Sequence, residues 1–147
     1  MCPHVRPVVF GAMALIGLAA APAASGRGGL SGNYWSATRV GALPSELRDR
    51  LAGLQSACGG PLSAGPSFTR EIRDPRSAET FIALHLHDLH CDHQAVCRES
   101  GYLHEVYVAE HGRYRRVWSG YVGEVELEQR GNTIGLHITF EGHPERS

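Results

Sequence analysis

The chain has 147 residues, with 14 basic residues, all of them arginine, and 15 acidic ones, so its formal net charge is −1. Because it contains no lysine, it can form neither a P-loop nor a lysine Schiff base. Its positive charge is not concentrated on any one stretch, so nothing supports nucleic-acid binding. The sequence identifies no other partner.

The N-terminal residues have the pattern of a signal peptide. Arg6 precedes an apolar run over residues 8–20, which is too short to span a membrane as a helix. Small residues follow this run, and we place the cleavage after Ala23, with Ser25 as the alternative site. We therefore predict a signal peptide over 1–23, a periplasmic or secreted location, and no membrane attachment after cleavage. An uncleaved N-terminal anchor is the alternative.

The rest of the chain is predicted to form one domain. Residues 24–42 are rich in Gly, Ala and Ser, which is typical of a flexible lead-in, with Tyr34 and Trp35 as anchors. Residues 43–143 are long enough for one domain with one hydrophobic core. We expect this segment to be a single α+β domain.

One amphipathic helix is predicted at the start of this domain. Pro44 suits its first turn. Apolar residues then recur at steps of four, three and four, which places them on one helical face: Leu47, Leu51, Leu54 and Cys58. Gly59 and Gly60 end the helix.

Most of the remaining domain alternates between apolar and polar residues, as β-strands do. Strands are predicted over 67–73, 80–88, 103–110, 114–120, 121–129 and 133–141. The turns are short, with His111-Gly112 as one of them, and the last strand has an inward row made of Ile134, Leu136, Ile138 and Phe140. Short turns favour an antiparallel β-meander. The predicted fold is an α+β domain in which this sheet packs against one amphipathic helix and is stapled by a disulfide.

Three cysteines remain after signal cleavage: Cys58, Cys91 and Cys97. An exported protein is expected to form one disulfide from these three cysteines and to leave one thiol unpaired. A bridge from Cys58 to Cys91 or Cys97 would tie the helix to the sheet and stabilise the fold by about 3 to 4 kcal/mol. The competing bridge between Cys91 and Cys97 closes a much smaller loop and contributes less.

The segment HLHDLHCDHQAVC, residues 85–97, is the one place where the sequence suggests chemistry. His85 and His87 would share a face of a predicted strand, and His90 or His93 could supply a third ligand. His104 begins the next strand and could approach if the hairpin register allows it. An imidazole-rich set suits Zn or Cu better than calcium or magnesium.

Other interpretations of these histidines stay open. His85 and His87 lie opposite the apolar row of their strand, so they could be solvated side chains without a ligand. A histidine group could also sense pH. No catalytic residue is predicted, because no nucleophile in the chain has a recognisable partner arrangement.

The layout resembles a group of small exported proteobacterial proteins that have no assigned function. The resemblance covers most of residues 43–120. It rests on LPSELRDRLAGLQSACGG, SFTREI, a strand ending in LHC, a short loop to Cys97, and YLHEVYVAEHGRYRRVWSG. It implies export, disulfides and this fold class, but no activity. The chain departs from the group at Tyr102, where a second loop cysteine is expected, and in its histidine cluster.

The leading hypothesis is an exported, small, non-enzymatic domain with an unknown binding role. The first alternative is a protein that binds Zn or Cu through the histidine cluster. The second alternative is an enzyme of unknown class.

Overall fold

A computed structural model describes residues 34–91 and 93–140. The predicted signal peptide over 1–23 lies outside the described residues, as do the earlier part of the lead-in and the last residues of the predicted domain. The described elements are α1 (Ala37–Gly41), α2 (Ser45–Ala52), β1 (Thr69–Arg73), β2 (Thr80–His85), a 3-10 turn (Leu86–Asp88), α3 (His93–Val96), β3 (Cys97–Arg98), β4 (Gly101–Glu110), β5 (Arg113–Val122), β6 (Glu124–Arg130) and β7 (Thr133–Thr139).

Antiparallel pairing dominates the structure, as predicted. β1, β2, β4 and β5 pair in succession, and the short β3 pairs with the first residues of β4. His111 and Gly112, both with positive φ, make the tight turn from β4 to β5. β6 and β7 do not continue this sheet but form a separate two-stranded hairpin.

The structure does not confirm one long helix over 44–58. α2 ends at Ala52, before Gly53, and several short helices take the place of a single one among the described residues. Leu47 and Leu51 of α2 are fully buried in the main core, as the apolar stripe predicts. The described end of the predicted lead-in is also structured, because it contains α1.

The main sheet buries apolar side chains on both faces. One face carries Ile82 and Leu84 of β2 together with Leu103 of β4, and it packs against α2. The other face carries Ala83 and Val106, which pack against the β6–β7 hairpin through a second cluster of apolar side chains: Val122, Val125, Trp118, Leu127 and Ile138. The hairpin therefore covers the face that carries His85, which excludes the alternative that this histidine is solvated.

Two predictions for the C-terminal strands are wrong. The first concerns the boundary that was predicted between residues 120 and 121, since β5 continues to Val122 and β6 begins only after Gly123. The second concerns the inward row of the last strand, because Leu136 is 36 % exposed and Phe140 is 55 % exposed. Only part of the hairpin lies over the sheet, so apolar residues beyond that part stay accessible.

A disulfide joins Cys58, just after α2, to Cys91, just after the 3-10 turn. This settles the partner of Cys58 that the sequence left open. The prediction of one leftover thiol is wrong for the described residues, where no cysteine, Cys97 included, is free. The bridge spans 33 positions of sequence, and closing such a loop restricts the unfolded chain.

We expect the double substitution Cys58→Ala/Cys91→Ala to lower the free energy of unfolding by about 3 to 4 kcal/mol, because the unfolded chain regains its loop entropy. Urea denaturation of the oxidised protein measures this loss. An unchanged midpoint and slope would contradict a stabilising role for the bridge.

A buried carboxylate connects α2 to the main sheet. Glu105 of β4 has no exposed surface. Its Oε1 accepts hydrogen bonds from Arg50 of α2 at 2.8 Å and from Arg116 of β5 at 3.0 Å. Its Oε2 accepts one from the Tyr107 hydroxyl at 2.7 Å. Burial and this contact with Glu105 raise the pKa of Tyr107, so its hydroxyl stays a donor. The carboxylate is therefore well satisfied despite its burial.

The variant Glu105→Gln should lose about 2 to 3 kcal/mol of unfolding free energy, since it weakens several charge-assisted hydrogen bonds at once. Glu110→Gln is the matched control, because Glu110 lies on the same strand in an exposed pair with Arg115. Its loss should stay below about 0.5 kcal/mol. If urea denaturation showed equal losses of unfolding free energy for the two variants, burial would not be what makes the Glu105 hydrogen bonds stabilising.

Candidate metal centre

Two histidines of the candidate site face each other across neighbouring strands. His85 is the last residue of β2, and His104 lies directly opposite it on β4. Residues opposite each other in an antiparallel pair project from the same face of the sheet. That face is covered by the β6–β7 hairpin, so His85 is 7 % exposed and His104 is fully buried.

The third histidine comes from the turn after β2. The strand predicted over 80–88 ends at His85, and His87 lies in the 3-10 turn. Asp88 fixes this turn, because its buried carboxylate accepts hydrogen bonds from the Tyr34 hydroxyl at 2.8 Å and from the Ser67 amide at 2.7 Å. A Cβ at Gly65 would collide with that carboxylate, so the segment beside the turn requires glycine.

The three rings form one compact group. His85, His87 and His104 can each offer one ring nitrogen such that the three atoms lie within 4.8 Å of one another. The Nδ1 atoms of His85 and His104 are only 3.1 Å apart. The His87 ring centroid lies 6.0 Å from that of His85 and 5.5 Å from that of His104.

Two nitrogens of this group have no hydrogen-bond partner. They are Nδ1 of His87 and Nε2 of His104, and both atoms are buried. Leaving a buried polar atom unpaired costs about 1 to 3 kcal/mol. Such atoms are uncommon in folded proteins, and each one calls for an explanation.

Burial also determines the charge of the rings. Desolvation, helped by the charge of the neighbouring His85, lowers the pKa of His104 to about 4. Desolvation lowers the pKa of His85 as well, although the Glu124 carboxylate opposes this effect. Both rings are therefore neutral at neutral pH, and neutral imidazole is the form that binds metals.

The group borders an open cleft of about 590 Å³. His85 and His87 line it, whereas His104 is not among its lining residues. Glu124, the first residue of β6, also lines the cleft, and its Oε1 lies 3.2 Å from Nδ1 of His85. The covering hairpin thus adds a carboxylate beside the histidines.

The structure groups only part of the predicted ligand set. His85 and His87 belong to the cluster, but His90 is exposed, and its ring lies 5.2 Å from the ring of Trp35 instead. The side chain of His93 lies outside the described part of the structure. His104 is the third member, and the strand register is the signal that places it there.

No protein-family model matches the chain, and no curated protein or solved structure is similar enough to count as a match. The site must therefore be interpreted from its own geometry. Within residues 34–91 and 93–140, no helix is both long enough and apolar enough to cross a membrane.

Proposed function

We propose that this protein is an exported domain that binds a transition-metal ion, Zn²⁺ or Cu²⁺, through His85, His87 and His104. The observation that carries the proposal is the pair of buried ring nitrogens without partners, on His87 and His104. A bound metal ion removes the cost of leaving such nitrogens unpaired, because it accepts their lone pairs.

The spacing of the rings supports this proposal. Two nitrogen ligands of a tetrahedral zinc ion are about 3.3 Å apart, given Zn–N bonds of about 2.05 Å. The Nδ1 atoms of His85 and His104 are in hydrogen-bond contact with each other at 3.1 Å, which leaves Nε2 of each ring for the ion. The widest separation in the group, within 4.8 Å, requires a modest inward shift of one ring.

The ligand types support the choice of metal. Imidazole nitrogens suit Zn and Cu, whereas Mg and Ca prefer sets of oxygen ligands. The Glu124 carboxylate beside His85 fits the usual surroundings of a metal-binding histidine, in which a carboxylate orients the ring.

Calorimetric titration of tag-free protein should show Zn²⁺ binding with a submicromolar Kd. His87→Gln should weaken binding about a hundredfold or more, since even the loss of an outer-shell partner costs 10- to 100-fold. His87 is only half-buried, so this variant should fold even if His104→Gln does not.

His90→Gln is the control, because His90 is exposed and lies outside both groups of potential metal ligands, and it should not change the Kd. His137 belongs to the second group, with Glu126 and Glu128, so a loss of binding in His137→Gln would place the metal there instead. Binding that is micromolar or weaker, and equal in all of these variants, would overturn the proposal. Zn²⁺ should also raise the Tm of the native protein, since the metal binds the folded state.

Export is the second part of the proposal. The Cys58–Cys91 disulfide supports it, because stable disulfides form in oxidising compartments. The apolar run over residues 8–20, which follows Arg6, supports it from the sequence.

Expression of the full chain in a bacterium with a working export pathway should yield a protein that begins at Ala24. The mass of the intact protein from the periplasm or the medium gives the cleavage site directly. Uncleaved protein that stays in the cytoplasm with reduced cysteines would contradict export.

A further inference from the structure

The cleft beside the histidines has the size of a small-molecule site. Its volume of about 590 Å³ falls within the range of roughly 300 to 1,000 Å³ that is typical of ligand pockets. Since His85 and His87 line the cleft and the fully buried His104 does not, an ion held by the three would have one side turned to this space.

The ligand count leaves room for a further donor. The described residues offer three histidines in one group. Structural zinc sites use four protein ligands, whereas catalytic ones keep three and leave a position for water or substrate. An ion bound here would therefore have an exchangeable position, and it would face the cleft.

The charged side chains of the cleft indicate what could occupy that position. Glu128 pairs with Arg130 at 2.8 Å, and Glu126 lies 3.8 Å from His137. Arg70 also lines the cleft, and among the described residues it has no ion-pair partner. Its strand register puts it opposite Ala83, on the face of the sheet that carries His85.

We propose that the metal centre is an open site that binds the carboxylate group of a small ligand, with one oxygen on the metal and the other paired with Arg70. This inference rests on the proposed metal-binding function and adds its ligand class. The cleft has room for the rest of such a ligand beyond its carboxylate.

A carboxylate suits the site better than a phosphate does. It has two oxygens for two positive groups and carries a single negative charge. A phosphate dianion would bring more charge against Glu124, Glu126 and Glu128, which line the same cleft. Arginine is also well matched to carboxylate geometry.

The test uses the full-length protein loaded with Co²⁺, whose visible absorption changes when a ligand on the metal is exchanged. The metal is first shown to bind, so that failure of the metal proposal is seen before any carboxylate is added. Acetate is then titrated into the native protein and into Arg70→Gln, Arg73→Gln and Glu124→Gln. Arg73 is the matched control, because it is exposed on the same strand but does not line the cleft.

Acetate should change the spectrum saturably in the native protein and with the same Kd in Arg73→Gln. Arg70→Gln should raise the acetate Kd about tenfold without weakening Co²⁺ binding, because the Arg70 charge repels a cation beside His85. Glu124→Gln should bind acetate at least as tightly as the native protein, because a competing negative charge is gone. Inorganic phosphate should bind more weakly than acetate.

Three results would overturn the inference. The first is normal Co²⁺ binding with a spectrum that acetate leaves unchanged in both the native protein and Glu124→Gln, which would mean a closed site. The second is an equal effect of Arg70→Gln and Arg73→Gln, which would remove the role of Arg70. The third is tighter binding of phosphate than of acetate, which would reject the carboxylate assignment.

Discussion

The packing of the β6–β7 hairpin against the main sheet is the interaction on which the candidate site depends. Val125 of β6 is almost fully buried beside Ala83 and Val106, and this contact closes the second face of the sheet. A two-stranded hairpin is only marginally stable alone. Its apolar contacts with the sheet therefore hold it in place, and they also exclude water from the histidines that share this face.

Two consecutive residues of β4 are buried on opposite faces of the sheet and differ in how fully their polar atoms are hydrogen-bonded. Glu105 points toward α2, and its carboxylate accepts hydrogen bonds from Arg50, Arg116 and Tyr107. His104 points the other way, is equally buried, and keeps an unpartnered Nε2. The fold thus satisfies both oxygens of a buried carboxylate, whereas the adjacent residue keeps an imidazole whose Nδ1 contacts His85 and whose Nε2 has no partner. This contrast favours a ligand at His104 over a defect in packing.

The sequence predicted the local features and missed those that depend on distant contacts. Alternation along residues 80–85 identified β2, and the positive-φ turn at His111-Gly112 was correctly placed. The length of α2 was overestimated, because the apolar stripe continues to Cys58 through residues that are not helical. The apolar spacing shows which residues face the core, and turns held by a disulfide can bury those residues as well as a helix can.

The candidate site shows the same limit. His85 and His87 could be selected from their spacing, but the third member depends on the β2–β4 register, which is a long-range property. His90 is closer in sequence and yet points elsewhere, because the chain leaves the sheet after the 3-10 turn and its ring packs by Trp35. The hydrogen bonds to Asp88 and the disulfide at Cys91 both fix the chain directly after His87. A ring positioned in this way would lose little conformational freedom on binding the proposed metal ion, so the entropy cost of coordination would be small.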